Sequence, residues 1–291
     1  MPKVTIILPN YNHQEYIEQR IDSILAQEYQ DFELIILDDA SHDQSTNLIK
    51  KYLLDDRIKE FLINDQNSGS TFVQWEKGLN MAEGEYIWIA ESDDVAKSNF
   101  LLEMVKVLEN QPKVGLVYCP SIWIDSNGIE IHIPNHEEGE NSWAGLSLIQ
   151  NEFLAGNVIY NASSAVFRKE MLKNVSFEQI RKFKYAGDWF FWVQLIQDQQ
   201  VVRIKQRLNF FRRHDGNVSF KSESEGLQFI EGIQIVKYIF KNYGVSFWKK
   251  RATMAFWTRK LLLSDLKNPK KVLEKMPSEL NFYYWILSFF K

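Results

Sequence analysis

The chain has only one cysteine, Cys119, among its 291 residues. A single thiol cannot form an internal disulfide, which excludes a disulfide-stapled scaffold. Cys119 ends the apolar run 114–119. We therefore interpret it as a buried structural thiol in a protein of a reducing compartment.

Long hydrophobic runs are also missing. The longest candidate, residues 282–290, is nine residues long, whereas about 20 are needed to span a bilayer. Met1-Pro2-Lys3 leads straight into the strand-like segment 4–8, which is too short and wrongly flanked for an export signal. We therefore expect a cytoplasmic protein without a membrane span.

Acidic residues are scarce near the end of the chain. Residues 225–291 carry 12 Lys and Arg against 5 Asp and Glu, and the first 224 residues carry a net charge of −11 within a total of −4. The segments 247–251 and 282–291 are basic and aromatic, which suggests peripheral contact with an anionic membrane at its inner face. The alternative is a helical cap that packs on the preceding part of the chain or on another subunit of a homo-oligomer. The acidic bulk of the chain argues against nucleic acid as a partner.

Strand and helix patterns alternate through the first hundred residues. Apolar runs at 4–8, 32–37, 58–64 and 86–90 are separated by amphipathic stretches at 15–27, 46–54 and 71–82. This alternation is typical of βαβ units, so we predict an α/β fold with a mainly parallel sheet flanked by helices. From residue 225 onward the pattern is mostly helical.

Two acidic clusters follow predicted parallel strands. Asp38-Asp39 follows the second strand, and Glu91-Ser92-Asp93-Asp94 follows the run 86–90. Ligands bind at the carboxyl edge of such sheets, and crowded carboxylates favour a hard divalent cation such as Mn²⁺ or Mg²⁺. The alternative is that each cluster is a solvated acidic turn. That alternative can explain one cluster, but it explains less well why two clusters occur at the same edge of the sheet.

A second group of potential ligands lies in a polar loop that contains His132, His136, Glu137 and Glu138. The spacing matches no standard zinc pattern, and we interpret this segment as a surface loop.

Five motifs together resemble glycosyltransferase family 2, the inverting nucleotide-sugar transferases with the GT-A fold. They occur in the family's order: the run 4–12, the run 36–43, Asn67-Ser68-Gly69-Ser70, the run 84–94 and Gly187-Asp188-Trp189. The resemblance covers about residues 1–220. It implies a GT-A (Rossmann-like) domain with a nucleotide-binding half at about 1–98 and an acceptor half at about 99–220, followed by a helical C-terminal extension at 221–291.

The resemblance also implies roles for individual residues on the donor side. Glu91-Ser92-Asp93 stands at the family's Asp-x-Asp motif, so Asp93 should bind the metal directly, with Glu91, Asp94 and His214 as further ligands. Glu91 replaces an aspartate, and its longer side chain could reach water or the sugar instead. The nucleotide contacts implied are Pro9, Asn10, Tyr11, Asp39, Asn67, Lys77 and Ser92. Lys77 would substitute for an arginine that many members carry in this helix, the alternative being a solvated helix lysine.

On the acceptor side the resemblance makes Asp188 the catalytic base, with Trp189 and Tyr185 as acceptor-binding aromatics. A helix N-cap is the alternative role for Asp188. His214 belongs to Phe211-Arg212-Arg213-His214, which is similar to a late family segment that folds over the donor, although a basic surface turn would have the same sequence.

The function expected is metal-assisted transfer of a hexose or N-acetylhexosamine from a UDP-linked donor to a hydroxyl of a glycan or lipid-linked saccharide. Cell-surface polysaccharide or glycoconjugate synthesis is the expected setting. A nucleotidyltransferase is disfavoured because residues 10–15 contain no glycine-rich basic loop. A catalytically degenerate sugar-nucleotide-binding or scaffolding protein remains the alternative.

Overall fold

The computed structural model describes residues 1–132, 139–214 and 226–264, together with residues 266, 272 and 274. The central feature is an eight-stranded sheet in the order β3-β2-β1-β4-β9-β6-β10-β8. Its strands are β1 Val4–Asn10, β2 Phe32–Asp38, β3 Ile58–Ile63, β4 Tyr86–Ile89, β6 Val114–Tyr118, β8 Asn141–Ala144, β9 Ala165–Arg168 and β10 Gln200–Arg203. The first four strands are parallel, and β9 is antiparallel to both β4 and β6.

Helices cover both faces of this sheet. They are α1 Ile17–Leu25, α2 Ser45–Ile49, α3 Thr71–Met81, α4 Phe100–Asn110, α5 Gly145–Gln150, α6 Phe177–Ile180, α7 Gly187–Leu195, α8 Leu227–Asn242 and α9 Phe247–Leu262. Successive side chains of β1 point to opposite faces of the sheet. Ile6 and Leu8 pack with α1 and α4 on one face, whereas Ile7 packs with α3 and α7 on the other. The α/β prediction with a mainly parallel sheet is confirmed.

A second, smaller sheet lies beside the carboxyl end of β4. It has the order β5-β11-β7, formed by β5 Val95–Ala96, β11 Asn209–Arg212 and β7 Ser121–Ile124. β11 is antiparallel to β5 and parallel to β7. Because β5 directly follows the acidic tetrapeptide, this pairing brings residues near 212 next to residues near 93.

The C-terminal helices share the core of the main domain. Phe229 and Ile233 of α8 and Trp257 of α9 belong to the same apolar cluster as α7 and β9. Gly244, with φ of +61°, lies in the left-handed turn that separates the two helices. The predicted domain boundary at 220/221 falls outside the described residues and stays a prediction. Within the part of the chain that the structure describes, no helix is long and apolar enough to cross a bilayer.

Gly84 fixes the approach of β4 to β1. A Cβ at this position would lie 2.5 Å from the backbone nitrogen of Thr5 and 2.7 Å from the carbonyl carbon of Val4. The backbone of a central strand cannot give way as a side chain can, so a methyl group here forces β4 out of place.

We expect Gly84→Ala to lower the free energy of unfolding by about 2–3 kcal/mol. Urea denaturation monitored by circular dichroism measures it. Asn80→Ala, at an exposed position near the end of α3, is the matched control and should change stability by less than about 0.5 kcal/mol. Equal stability of the two variants would contradict this account of β1–β4 packing.

Candidate active site

The carboxyl ends of β1, β2 and β4 meet at one edge of the sheet. Their register places Asn10 beside Asp38, and β4 ends just before the acidic tetrapeptide. The amide of Asn10 donates to the carboxylate of Asp38 over 2.6 Å, which joins the first two strand ends. Asp38 also accepts from the backbone nitrogen of Ser41 at 2.8 Å and so holds the turn after β2.

A three-residue cluster at this edge has the composition of a metal site. His13, Asp93 and His214 each offer one ligand atom, and these atoms lie within 4.8 Å of one another. His214 Nε2 lies 3.1 Å from Asp93 Oδ2, and His13 Nδ1 lies 2.7 Å from the hydroxyl of Ser92. Two imidazoles and a carboxylate are a donor set that a divalent transition-metal ion accepts.

The short strand β11 carries His214 to this position. Arg212, buried at the end of β11, donates from its backbone nitrogen to Asp94 Oδ1 at 3.0 Å and from Nε to the carbonyl of Asp93 at 2.8 Å. Its terminal nitrogen donates to Gln19 at 2.7 Å. The guanidinium therefore serves to join β11 to the acidic turn and to α1, and it is fully engaged with protein groups.

The three carboxyl groups of the acidic turn differ in pKa. Burial raises the pKa of Asp93, but the hydrogen bond from His214 and the charges of His13 and His214 outweigh it, so the pKa lies below the usual range. Burial and the neighbouring Asp93 raise the pKa of Glu91 to about 8 and that of Asp94 to about 7. Asp93 is thus the carboxylate kept ionised, as a direct metal ligand requires.

Glu91 and Asp94, predicted as further metal ligands, are bonded to protein groups. Glu91 accepts from the indole nitrogen of Trp75 at 2.9 Å. Asp94 accepts from the amide of Asn161 at 2.7 Å and from Arg212. These two carboxyl groups therefore lie outside the His13–Asp93–His214 cluster and hold the surrounding segments in place.

Arg20 provides positive charge beneath the acidic turn. Its side chain is fully buried in α1, and the guanidinium lies 4.9 Å from the centre of the Trp88 ring. Among the described residues none of its three side-chain nitrogens has a hydrogen-bond partner. Burial lowers the pKa of Arg20 to about 10, opposed by the charges of Asp94, Asp93 and Glu91. Arg20 thus remains a cation that partly offsets the carboxylates.

A cleft of about 450 Å³ opens beside the His13–Asp93–His214 cluster. It is lined by residues 11–16 together with Asp43 and His214. Tyr11, predicted as a nucleotide contact, is 41% exposed at the cleft, whereas Pro9 and Asn10 are buried behind it. Ser92 is buried and bonded to His13. Of these four predicted contacts, Tyr11 is the one open to a ligand.

Asp39, Asn67 and Lys77 form a separate group on the β3 side. The carboxylate of Asp39 accepts from Asn64 at 2.7 Å, from Gln74 at 2.7 Å and from the backbone and hydroxyl of Ser68. Asn67 donates to the Asp39 carbonyl at 3.2 Å, and Lys77 donates to Asn64 at 2.8 Å. The structure brings the three together, with Asn67 bonded to Asp39 directly and Lys77 connected to Asp39 through Asn64. A nucleobase that binds the Asp39 carboxylate would have to displace some of these hydrogen bonds.

Asp188 lies in the first turn of α7 and has features of a general base. Its Oδ1 accepts from the backbone nitrogen of Trp189 at 2.7 Å, and its Oδ2 accepts from the side chain of Asn157 at 2.9 Å. Burial raises the pKa of Asp188 to about 7. A carboxyl group with this pKa takes up a proton readily near neutral pH.

One short segment connects Asp188 with the acidic turn. Asn157 bonds Asp188, Asn161 bonds Asp94, and the hydroxyl of Ser163 accepts from the backbone nitrogen of Glu91 at 2.9 Å. The segment 157–163 therefore fixes the candidate base relative to the turn that carries Asp93.

The two predicted acceptor aromatics occupy different environments. Trp189 is 4% exposed, and its ring stacks on Trp257 of α9 at 5.9 Å, so it belongs to the core and presents no open face to a sugar. Tyr185 is half-buried, and its backbone nitrogen donates to Glu231 at 2.9 Å. Because its ring is buried, Trp189 is not positioned to stack on a sugar, contrary to the expectation from the sequence.

Several site residues escaped the sequence analysis. His13 lies three residues beyond the end of β1, and a histidine close behind a predicted strand was the available signal. Arg20 was recognisable as a cation within the apolar stripe of α1, between Ile17 and Ile24. Asn157 and Asn161 carry no local signal, because their role depends on contacts with residues far away in the chain.

The mixed sheet with acidic turns at the carboxyl ends of its parallel strands has the architecture of the GT-A fold. The sequence profile described as Glycosyl transferase family 2 matches residues 5–176, and the chain belongs to this family. The predicted family, fold and enzyme class are thereby confirmed: the protein is a glycosyltransferase.

A curated relative spans most of the chain. Poly(ribitol-phosphate) beta-N-acetylglucosaminyltransferase TarP of Staphylococcus aureus (strain N315) is 28% identical over 283 residues, which cover 92% of this chain and 82% of TarP.

Two solved structures share the fold. S. aureus TarS 1-349 in complex with UDP-GlcNAc superposes with a TM-score of 0.68 and 17% identity, over 97% of this chain and 78% of the other. The mannosyltransferase PcManGT from Pyrobaculum calidifontis, in complex with GDP-Man and Mn²⁺, superposes with a TM-score of 0.52 and 16% identity, over 99% of this chain and 84% of the other.

The cluster geometry generates a direct prediction for metal binding. We expect Asp93→Asn and His214→Ala each to weaken Mn²⁺ binding by about 10–100-fold, because each removes one of three ligand groups. His13→Ala should have a similar effect, which distinguishes this cluster from one built on Glu91 and Asp94. Isothermal titration calorimetry with MnCl₂ measures the affinities. His42→Ala, an exposed histidine outside the cluster, is the control, and an unchanged affinity in His13→Ala would contradict the assignment.

Proposed function

We propose that this protein transfers a sugar from a UDP-linked donor to a hydroxyl of a glycan or lipid-linked saccharide, with inversion at the anomeric carbon. The single observation that carries the proposal is the pairing of the His13–Asp93–His214 cluster with Asp188 through the segment 157–163. It supports a donor site and a base held at a fixed separation, as a single-step displacement requires.

The donor diphosphate belongs at the metal cluster. The cleft lined by residues 11–16 and His214 has room for a nucleotide next to Asp93, and Tyr11 offers an exposed ring there. A bound divalent cation would supply positive charge against the departing diphosphate. A UDP-linked donor is further supported by the UDP-GlcNAc complex of TarS.

The chemistry of the cluster supports Mn²⁺ over Mg²⁺. Mg²⁺ prefers an octahedral shell of oxygen ligands, whereas Mn²⁺ also accepts imidazole nitrogen. With two histidines among its three ligand groups, the cluster suits Mn²⁺ better, and the fold relative PcManGT holds Mn²⁺.

Asp188 is the proposed base. Its Oδ2 would take the proton of the acceptor hydroxyl while that oxygen attacks the anomeric carbon from the side opposite the leaving group. Asn157, which donates to Oδ2, fixes the carboxylate orientation and leaves the remaining lone pairs for the acceptor. The backbone bond from Trp189 to Oδ1 restrains the carboxylate further.

TarP is a poly(ribitol-phosphate) N-acetylglucosaminyltransferase by its name, which supports an N-acetylhexosamine as the transferred sugar and a polymer as the acceptor. Our proposal also includes a hexose as the sugar, and cell-surface polysaccharide or glycoconjugate synthesis as the setting. We place the reaction in the cytoplasm, at the inner face of the membrane when the acceptor is lipid-linked. The competing function is a catalytically degenerate protein that binds sugar nucleotides without turnover.

The pKa of Asp188 predicts the pH dependence of transfer. A base acts only when ionised, and below its pKa of about 7 the ionised fraction falls about tenfold per pH unit. We therefore expect kcat/KM to rise with unit slope up to about pH 7 and then to level off. Nucleotide release measured with an acceptor glycan across pH 5–9 gives this profile.

A substitution tests whether Asp188 is the base, as opposed to another group with a similar pKa. Asp188→Asn should lose about 10²–10⁴-fold in kcat while nucleotide binding persists. Asp198→Asn, at an exposed position beyond α7, serves as the control. Unchanged turnover in Asp188→Asn would exclude it as the base.

Nucleotide binding tests the donor assignment. We expect UDP to raise the thermal unfolding midpoint in the presence of Mn²⁺ more than with EDTA, and more than GDP, dTDP or CMP do. Ligand at 100 times its Kd stabilises a fold by about 2.7 kcal/mol. The metal-dependent part should vanish in Asp93→Asn, and a stronger response to another nucleotide would overturn the UDP assignment. Nucleotide binding without release from any sugar donor would favour the degenerate protein.

A further inference from the structure

One side of the C-terminal helix α9 carries large apolar side chains that the rest of the described chain leaves uncovered. Phe247 is 62% exposed, Trp248 77% and Phe256 46%, and Leu263 directly after the helix is 65% exposed. The opposite side of α9 is buried through Met254, Trp257 and Leu261, among others. Trp248, Phe256 and Leu263 recur at intervals of eight and seven residues, which places them on one side of the helix. The ring of Phe247 lies 5.3 Å from that of Trp248 and extends this apolar surface at the start of the helix.

The same side is basic. Arg251 and Arg259 are exposed, and the guanidinium of Arg251 lies 5.7 Å from the centre of the Phe247 ring. The helix also contains Lys249, Lys250 and Lys260 and has no acidic residue. We call the set Phe247, Trp248, Arg251, Phe256 and Arg259 the outer face of α9.

We propose that the outer face of α9 rests on an anionic lipid surface. Aromatic rings partition to the level of lipid headgroups, and arginines beside them pair with anionic headgroups. The first 224 residues, with a net charge of −11, would be repelled by such a surface, so this basic face would orient the enzyme as well as bind it.

Charge disfavours the other occupants of the face. In a symmetric dimer the outer face would meet its own copy, and arginines would oppose arginines. The residues after the helix, 265–291, contain five lysines against three carboxyl side chains, so their net side-chain charge of +2 has the same sign as that of the outer face. An anionic bilayer satisfies both the aromatic and the cationic side chains.

Vesicle sedimentation of the full chain tests the proposal. We expect the protein to pellet with vesicles of phosphatidylcholine and phosphatidylglycerol at low salt, to pellet far less with phosphatidylcholine alone, and to be released by 0.5 M NaCl. Each cation at such a surface contributes about a fivefold change in partitioning. Arg251→Glu with Arg259→Glu should therefore bind at least about 25-fold more weakly.

A second variant separates the aromatic from the cationic contribution. Trp248→Ala with Phe256→Ala should also lower binding, by at least about tenfold, because two apolar side chains no longer enter the interface. The matched control is Leu54→Ala with Lys106→Glu, which removes one apolar residue and reverses one cation at exposed positions elsewhere. The control should bind like the parent, and all variants should keep the parent's thermal unfolding midpoint.

Three outcomes would overturn the proposal. The first is equal sedimentation with both vesicle types or with neither. The second is control binding that falls as far as that of the arginine variant. The third is a dimer, detected by light scattering, that Trp248→Ala with Phe256→Ala dissociates, since the outer face would then contact a second copy of the chain.

Discussion

The site depends on holding three carboxyl groups in a buried turn at the end of β4. Glu91, Asp93 and Asp94 repel one another, and burial makes ionisation of each costly. The fold offsets this with Arg20 from one side and with His13 and His214 from the other. Because the histidines act on Asp93, this carboxylate alone has a lowered pKa, and the turn keeps one strong anion where the donor diphosphate is expected.

The other two carboxyl groups, Glu91 and Asp94, form hydrogen bonds to neighbouring elements. Glu91 connects to α3 through Trp75, and Asp94 connects to the segment 157–163 and to β11. The acidic turn is thus bonded to parts of the chain that are far apart in sequence. The small sheet β5-β11-β7 makes this arrangement possible, because its strand pairing brings Arg212 within hydrogen-bond distance of both Asp93 and Asp94.

The elements were predictable where periodicity is strong. The apolar runs at 4–8, 32–37 and 86–90 correspond to strands β1, β2 and β4, and the amphipathic stretch 71–82 corresponds to α3. The acidic turn and His214 were recognisable because residue type and family resemblance pointed to the same sheet edge.

The remaining site residues depend on long-range contacts. His13 joins the cluster only because β1 and β4 are neighbours and β11 pairs with β5. Asn157 and Asn161 acquire their role from two hydrogen bonds that no local pattern encodes. Trp189 was misinterpreted for a related reason: an aromatic residue beside a candidate base is compatible with a sugar platform until α9 is seen to cover it.

The three candidate ligand groups, at positions 13, 93 and 214, are about 200 residues apart from first to last. During synthesis at about 5–20 residues per second, His214 emerges roughly 10–40 s after His13. The first four strands can already be paired by then, because their partners are complete by residue 89. A nascent chain that still lacks β11 therefore lacks one of the three candidate ligand groups, and the cluster is completed only when β11 pairs with β5.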